Sequence, residues 1–214
     1  MKNLNPKTLL LTILLCVPGA SAWSAVQSAA ADLPWATPVD KAFNLYRMQP
    51  DLYRSALPNA TQQSELQRLK IATVINFYQR SDAEWLSDPA IRLIHQPLHA
   101  DRVADADVLQ ALRSIRQAQA AGPVLIHCKH GQNRTGLIAA MYRIVYQGWS
   151  KQQAIAEMRG AGFGGQERFE DAERYVRDVD LARFRLALAS GACSTSSWAY
   201  CALRDRVLDA FNEW

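Results

Sequence analysis

The sequence predicts a single α/β domain, in which a central, mainly parallel sheet of four to five strands is flanked by helices. Three observations carry this expectation. Apolar runs of strand length alternate along the chain with segments of helical period, the order that builds a parallel sheet covered by helices. The 214 residues are 49% hydrophobic and 21% charged, which suits one packed core; with only 10 glycines and four cysteines, a collagen-like chain and a disulfide-built miniprotein are excluded. The third is the stretch PVLIHCKHGQNRTG at 123–136, where a buried strand, a glycine-bearing polar loop and a helix start follow one another directly.

The N-terminus reads differently from the rest. Lys2 and Lys7 flank a polar start, Thr8 to Val17 run as TLLLTILLCV, and a Pro18-Gly19 break precedes Ala20-Ser21-Ala22. This order predicts a secretory signal peptide over 1–22, and with it export, in a bacterium to the periplasm. The apolar run is about half of what a membrane-spanning helix needs, so no stable membrane insertion is expected after cleavage. Bulky Leu15 before Cys16 argues against a lipid anchor. Residues 23–42, rich in Ala, Ser and Pro, read as a leader, 43–190 as the folded domain and 191–214 as a C-terminal extension.

Within the domain NLYRM, DLYRSALP, IATVINFY from Ile71, IRLIHQPL from Ile91 and PVLIH from Pro123 are runs of strand length, and TQQSELQRLK is helical. Val108, Leu112, Ile115 and Ala118 share one face of a helix starting near Asp105; Leu137, Ile138, Met141, Ile144 and Val145 share the face of another, stopped by Gly148. Two further helical patterns cover 151–159 and about 167–189. Between them GAGFGG, 160–165, reads as a flexible connector. The net charge of +4 is spread over 44 charged side chains of both signs and gives no argument for nucleic acid.

Cleavage would leave three cysteines, Cys128, Cys193 and Cys201, in an oxidising compartment. Cys193 and Cys201 lie eight apart across STSSWAY, close enough for a local disulfide that staples the extension and leaves Cys128 free.

Cys128 stands where the strand PVLIH meets the loop, and Arg134-Thr135 opens the following helix. Such a loop can turn its N–H groups inward, and the helix start adds unsatisfied donors and the positive end of its dipole, making an anion cradle from Lys129, His130, Gly131, Gln132, Asn133 and Arg134. Gly131 allows the backbone angles this needs. Arg134 brings a planar fork that can grip two phosphate oxygens. The same positive field stabilises a thiolate, which suits Cys128 as a nucleophile toward phosphorus.

These residues resemble the signature HC-x5-R-[ST] of the cysteine-dependent protein tyrosine phosphatases, and LYRSALP and VINFYQR resemble early strand segments of their compact dual-specificity branch, including its exported bacterial members. The resemblance covers about 43–190. It implies phosphomonoester hydrolysis through a phosphocysteine, without cofactor, on phosphotyrosine proteins with phosphoserine and phosphothreonine tolerated. The residues leave the oligomeric state open, with a monomer favoured. It further implies a mobile aspartate upstream that serves as acid and then base, a role for Thr135 in releasing the thiolate, and a supporting role for His127. Asp101, Asp105 and Asp107 are the candidates for the aspartate. The last two sit at a helix start, where capping and the dipole suffice to explain them, so Asp101, in the preceding loop, is preferred.

Two rivals differ in class or substrate. Lys129 follows the cysteine as in lipid- and inositol-phosphate-directed relatives, although Gln132 stands where those carry a second lysine. A phosphate-binding module without catalysis is disfavoured by the presence of all three catalytic candidates. A zinc site at His127, Cys128 and His130 lacks a second Cys/His cluster around His95 or His99, so no metal is expected.

Overall fold

Six short strands make one sheet: Thr37–Asp40 (β1), Leu45–Gln49 (β2), Leu52–Ser55 (β3), Thr73–Asn76 (β4), Arg92–His95 (β5) and Val124–His127 (β6). They lie in the order β1-β2-β3-β6-β4-β5 in this computed structural model, which describes residues 34–99, 101–164 and 170–204. The predicted signal peptide over 1–22 and most of the leader lie outside the described residues. β1, β2 and β3 are antiparallel neighbours, whereas β3, β6, β4 and β5 run parallel. The central strand β6 therefore ends between the ends of β3 and β4, with His127 opposite Ser55 on one side and Asn76 on the other.

Alternation along the strands sorts the core into two layers. Leu52, Ile75, Val124 and Ile126 point into a large cluster, while Tyr53, Val74 and Leu125 point into a smaller one with Leu66, Ile71 and Ile91. Val-Leu-Ile-His in β6 is buried throughout, as a strand covered on both faces requires.

The large layer is made by helices Asp105–Gln119 (α2) and Asn133–Tyr146 (α3), and the small one by the short helix Gln63–Arg68 (α1). α2 buries Val108, Leu112, Ile115 and Ala118, the face its spacing predicts. α3 is buried on almost every side, because Lys151–Gly160 (α4) and Glu170–Asp178 (α5) pack on it as well as α2. Leu181–Ser190 (α6) packs on α2.

Three features depart from the sequence reading. The sheet has a sixth strand, β1, formed by residues placed in the leader; it is an edge strand made by backbone pairing with β2, where Pro38 is tolerated and side-chain alternation is absent. The helical pattern over 167–189 contains two helices, because Asp180 leaves the helix and accepts hydrogen bonds from the N–H groups of Ala182 and Arg183 as an N-cap. Within 160–164 the chain is anchored by Phe163, buried against Tyr46 with the rings 4.6 Å apart.

At the C-terminal end a disulfide joins Cys193 and Cys201. The segment is tied to α2, since Arg113 donates to the carbonyls of Ala187 and Ala192, both at 2.8 Å, and the Thr195 hydroxyl bonds to the Asp105 carboxylate. No helix among the described residues is long and apolar enough to cross a membrane.

One buried ion pair links α3, α4 and the N-terminal segment. Arg143 grips Glu157 with two donors, at 3.1 and 2.7 Å, and stacks on Trp149; Glu157 also accepts the N–H of Ala36 at 2.7 Å. Removing one partner of such a pair strands the other charge out of water and costs about 3–5 kcal/mol. Glu157→Leu is accordingly expected to lower the urea unfolding free energy by about that amount, and the Arg143→Met/Glu157→Leu double variant to recover most of it. Single losses that simply add in the double variant would contradict this.

Candidate active site

β6 delivers Cys128 to the loop before α3, where it is buried and unpaired. The loop runs from Lys129 to Gln132, and α3 starts at Asn133, so the positive dipole end of a 14-residue helix adjoins the loop. Gly131 sits at φ 72°, and a Cβ there would fall 2.6 Å from the carbonyl of Ser55 and the nitrogen of Ala56. Only glycine brings the loop this close to the end of β3.

What shapes the cradle is where its carbonyls go. Lys129 O accepts from the N–H of Leu57 at 3.2 Å, His130 O from Asn44 Nδ2 at 3.1 Å, and Gly131 O from the guanidinium of Arg54 at 2.8 Å. Gln132 O takes the first helical bond from Gly136 N. All four carbonyls are thus engaged by groups outside the loop or by α3. Because a trans peptide sets its N–H opposite its C=O, the N–H groups that follow turn to the other, inner side. A loop that turns N–H donors to one side beside a thiol can hold an anion.

Arg134 extends from the first turn of α3. Its NH1 donates to Gln79 Oε1 at 2.8 Å and reaches the carbonyls of Phe77 and Leu98, at 3.4 and 3.5 Å. Gln79 is itself fixed through its amide to Leu98 O at 2.8 Å. Nε of Arg134 is buried with no hydrogen-bond partner among the described residues. One arm of the guanidinium is therefore anchored while another is left to take a phosphate oxygen. The Thr135 hydroxyl, one residue on, is also buried and without a partner among the described residues.

His127, at the end of β6, is buried and shares a 2.8 Å hydrogen bond between Nε2 and Asp82 Oδ2. Asp82 Oδ1 in turn accepts from Asn76 Nδ2 at 3.0 Å and from the Trp85 indole at 2.9 Å. This network fixes the ring immediately before the nucleophile candidate. Lys129 and His130 are exposed at the rim; Gln132 and Asn133 are half-buried.

The three aspartates are now distinguishable. Asp105 accepts from the Tyr175 hydroxyl at 2.6 Å and from Thr195; burial, aided by that bond, holds the Tyr175 phenol well above its ordinary range. Asp107 accepts from the N–H of Ala104 at 3.3 Å, closing the start of α2. Asp101 is exposed in the loop before α2 and lines a cavity with Arg174, Tyr175 and Asp178 of α5. No hydrogen bond or ion pair among the described residues joins it to Cys128 or Arg134.

Sequence reasoning missed Asn44, Arg54, Gln79, Asp82 and Phe163, all of which support the loop from outside it. A charged Arg inside the otherwise apolar strand run LYRS was a usable signal; Asp82 and Gln79 carried none, because their partners are far away in the chain.

The tyrosine phosphatase family profile matches residues 41–185, which hold all of β2 to β6, the loop and α3. The dual specificity protein phosphatase TpbA of Pseudomonas aeruginosa is 51% identical over 189 residues, covering 88% of this chain and 87% of TpbA. A crystal structure of TpbA superposes with a TM-score of 0.71 at 53% identity, covering 74% of this chain and 99% of that one. Another, of TpbA with a cysteine changed to serine and in complex with phosphotyrosine, gives 0.71 at 54% identity over 73% and 97%. An inositol diphosphatase of Arabidopsis thaliana is 26% identical over 162 residues, covering 69% of this chain and 74% of that protein. On the extent of the family match and of the likeness to TpbA, this chain belongs to the tyrosine phosphatase family.

Proposed function

We propose that the protein is an exported, cysteine-dependent phosphatase that hydrolyses phosphotyrosine in proteins and tolerates phosphoserine and phosphothreonine. The observation that carries this reading is the loop after Cys128, whose four carbonyls are all engaged by donors outside it or in α3, followed by Arg134 with a buried Nε that has no partner among the described residues. TpbA, a dual specificity phosphatase studied with phosphotyrosine, supports the substrate class. The apolar N-terminal run and Ala20-Ser21-Ala22 support export.

In the first step the Cys128 thiolate attacks phosphorus and the P–O bond to the leaving group breaks. Asp101, as the carboxylic acid, gives its proton to the leaving oxygen. Loop amides and Arg134 hold the equatorial oxygens as their charge redistributes. In the second step water attacks the phosphocysteine, Asp101 takes a proton from it, and the S–P bond breaks. Thr135, with a hydroxyl that has no other partner among the described residues, donates to the departing thiolate. His127, held by Asp82, positions Cys128 and is not the base. Each step is complete with these residues, phosphate and water.

A second reading is an inositol phosphate phosphatase. The inositol diphosphatase relative and Lys129 at the rim favour it; Gln132 in the loop supplies less charge than such a polyanion needs. Turnover on phosphotyrosine peptides against inositol phosphates separates the two.

Cys128→Ser is expected to abolish hydrolysis while retaining binding of a phosphotyrosine peptide, and Asp101→Asn to lower kcat by about 10²- to 10⁴-fold, the usual contribution of general acid–base catalysis. A full-strength Asp101→Asn enzyme with a crippled Asp105→Asn enzyme would transfer the role to Asp105. Gly131→Ala, forced into a positive φ and against Ser55, is expected to lower kcat/KM at least about tenfold, read on the same peptide. N-terminal sequencing of protein secreted by a bacterial host is expected to begin at Trp23; an intact Met1 would refute the signal peptide.

A further inference from the structure

Arg54 lies on β3, the strand paired with β6, and its side chain is 1% exposed. Among the described residues no carboxylate forms an ion pair with it. Its guanidinium instead donates from NH2 to Gly131 O at 2.8 Å and lies over the Phe163 ring, with Cζ 3.6 Å from the centroid. A buried cation without a paired carboxylate is costly, and folds retain one where an anion repays it. The anion here is the one the loop itself will hold.

We propose that Arg54 is a positioning residue of the phosphate-binding loop: it holds the Gly131 carbonyl outward, so that the following N–H groups face the phosphate, and it places a fixed positive charge directly behind the cradle. The inference rests on the phosphatase reading above. The charged neighbours fit the assignment. Burial draws the Arg54 guanidinium down to about 10, opposed first by Glu157 on α4 and next by Cys128; Arg143 on α3 pushes the same way as burial and Tyr46 on β2 against it. Arg54 thus remains a cation at neutral pH.

Phe163 completes the device. It is buried under Arg54, and its carbonyl accepts from Asn44 Nδ2 at 2.8 Å, the same amide that holds His130 O. Gly162 O accepts from the Tyr46 hydroxyl at 2.9 Å. A Cβ at Gly164 would fall 1.7 Å from Gln132 Nε2, so the glycines let this segment close against the loop. Residues 160–164 form a wall behind the cradle, with Arg54 as the link between wall and cradle.

The test compares wild type, Arg54→Met and Arg54→Lys. It measures kcat and KM on a phosphotyrosine peptide, the inhibition constant of inorganic phosphate, and the thermal midpoint. Arg54→Met is expected to weaken phosphate inhibition and lower kcat/KM by a similar factor, on the order of tenfold to a hundredfold, as befits a lost buried hydrogen bond to a charged group. Arg54→Lys keeps the charge without the planar fork and is expected to fall between the two. A folded Arg54→Met enzyme with wild-type phosphate inhibition and kcat/KM overturns the proposal, whatever its thermal midpoint. If Arg54→Met does not fold, the lysine variant decides, since unchanged phosphate inhibition and kcat/KM there overturn it equally. A wild-type protein that hydrolyses no phosphomonoester overturns the phosphatase reading instead, and binding of phosphate by its Cys128→Ser form, weakened by Arg54→Met, would still support the role of Arg54.

Discussion

The outward fixing of the loop carbonyls between Lys129 and Gln132 is the constraint on which the site depends. A short loop between a parallel strand and a helix has no intrinsic reason to point all its N–H groups one way. Here each carbonyl is occupied by a different donor: a backbone amide from the end of β3, the side chains of Asn44 and Arg54, and the first turn of α3. Parallel pairing of β3 with β6 makes this possible, because it sets Ser55 beside His127 and runs both strand ends out at the same level. Gly131 then lets the loop touch the neighbouring backbone.

Charge is handled in the same economical way. Arg143 and Glu157 neutralise each other in the interior, joining α3 to α4. Arg54 has no such partner among the described residues, and its charge is retained for the anion site. His127 is the counterpart on the other side of β6, tied to Asp82 and through it to Asn76 and Trp85. The cradle is thus braced from both neighbouring strands, by a cation on β3 and by a buried histidine–carboxylate contact toward β4.

Much of this was legible in the residues. The buried run PVLIH, the cysteine after it and the arginine six places on lie in one continuous stretch whose geometry is nearly local, so strand, loop and helix start follow from spacing. The buried face of α2 followed from period alone, whereas α3, buried on almost every side, did not. β1 did not, since Thr37–Asp40 lacks alternation and owes its conformation to pairing with β2. Nor did the wall at 160–164: glycine density signals backbone freedom, and only packing on Arg54 and Tyr46 converts that freedom into a fixed contact.

The amino-acid sequence by itself determined the strand–loop–helix unit and the residues that stand along it, because these depend on positions close to one another. Tertiary structure decided which way the loop faces and what stands behind it. Asn44, Arg54, Asp82 and Phe163 reach the loop from sequence distances of tens of residues, through strand pairing and helix packing. A hydrogen bond between such partners has no signature in either local segment, and it exists only once the sheet has brought them together.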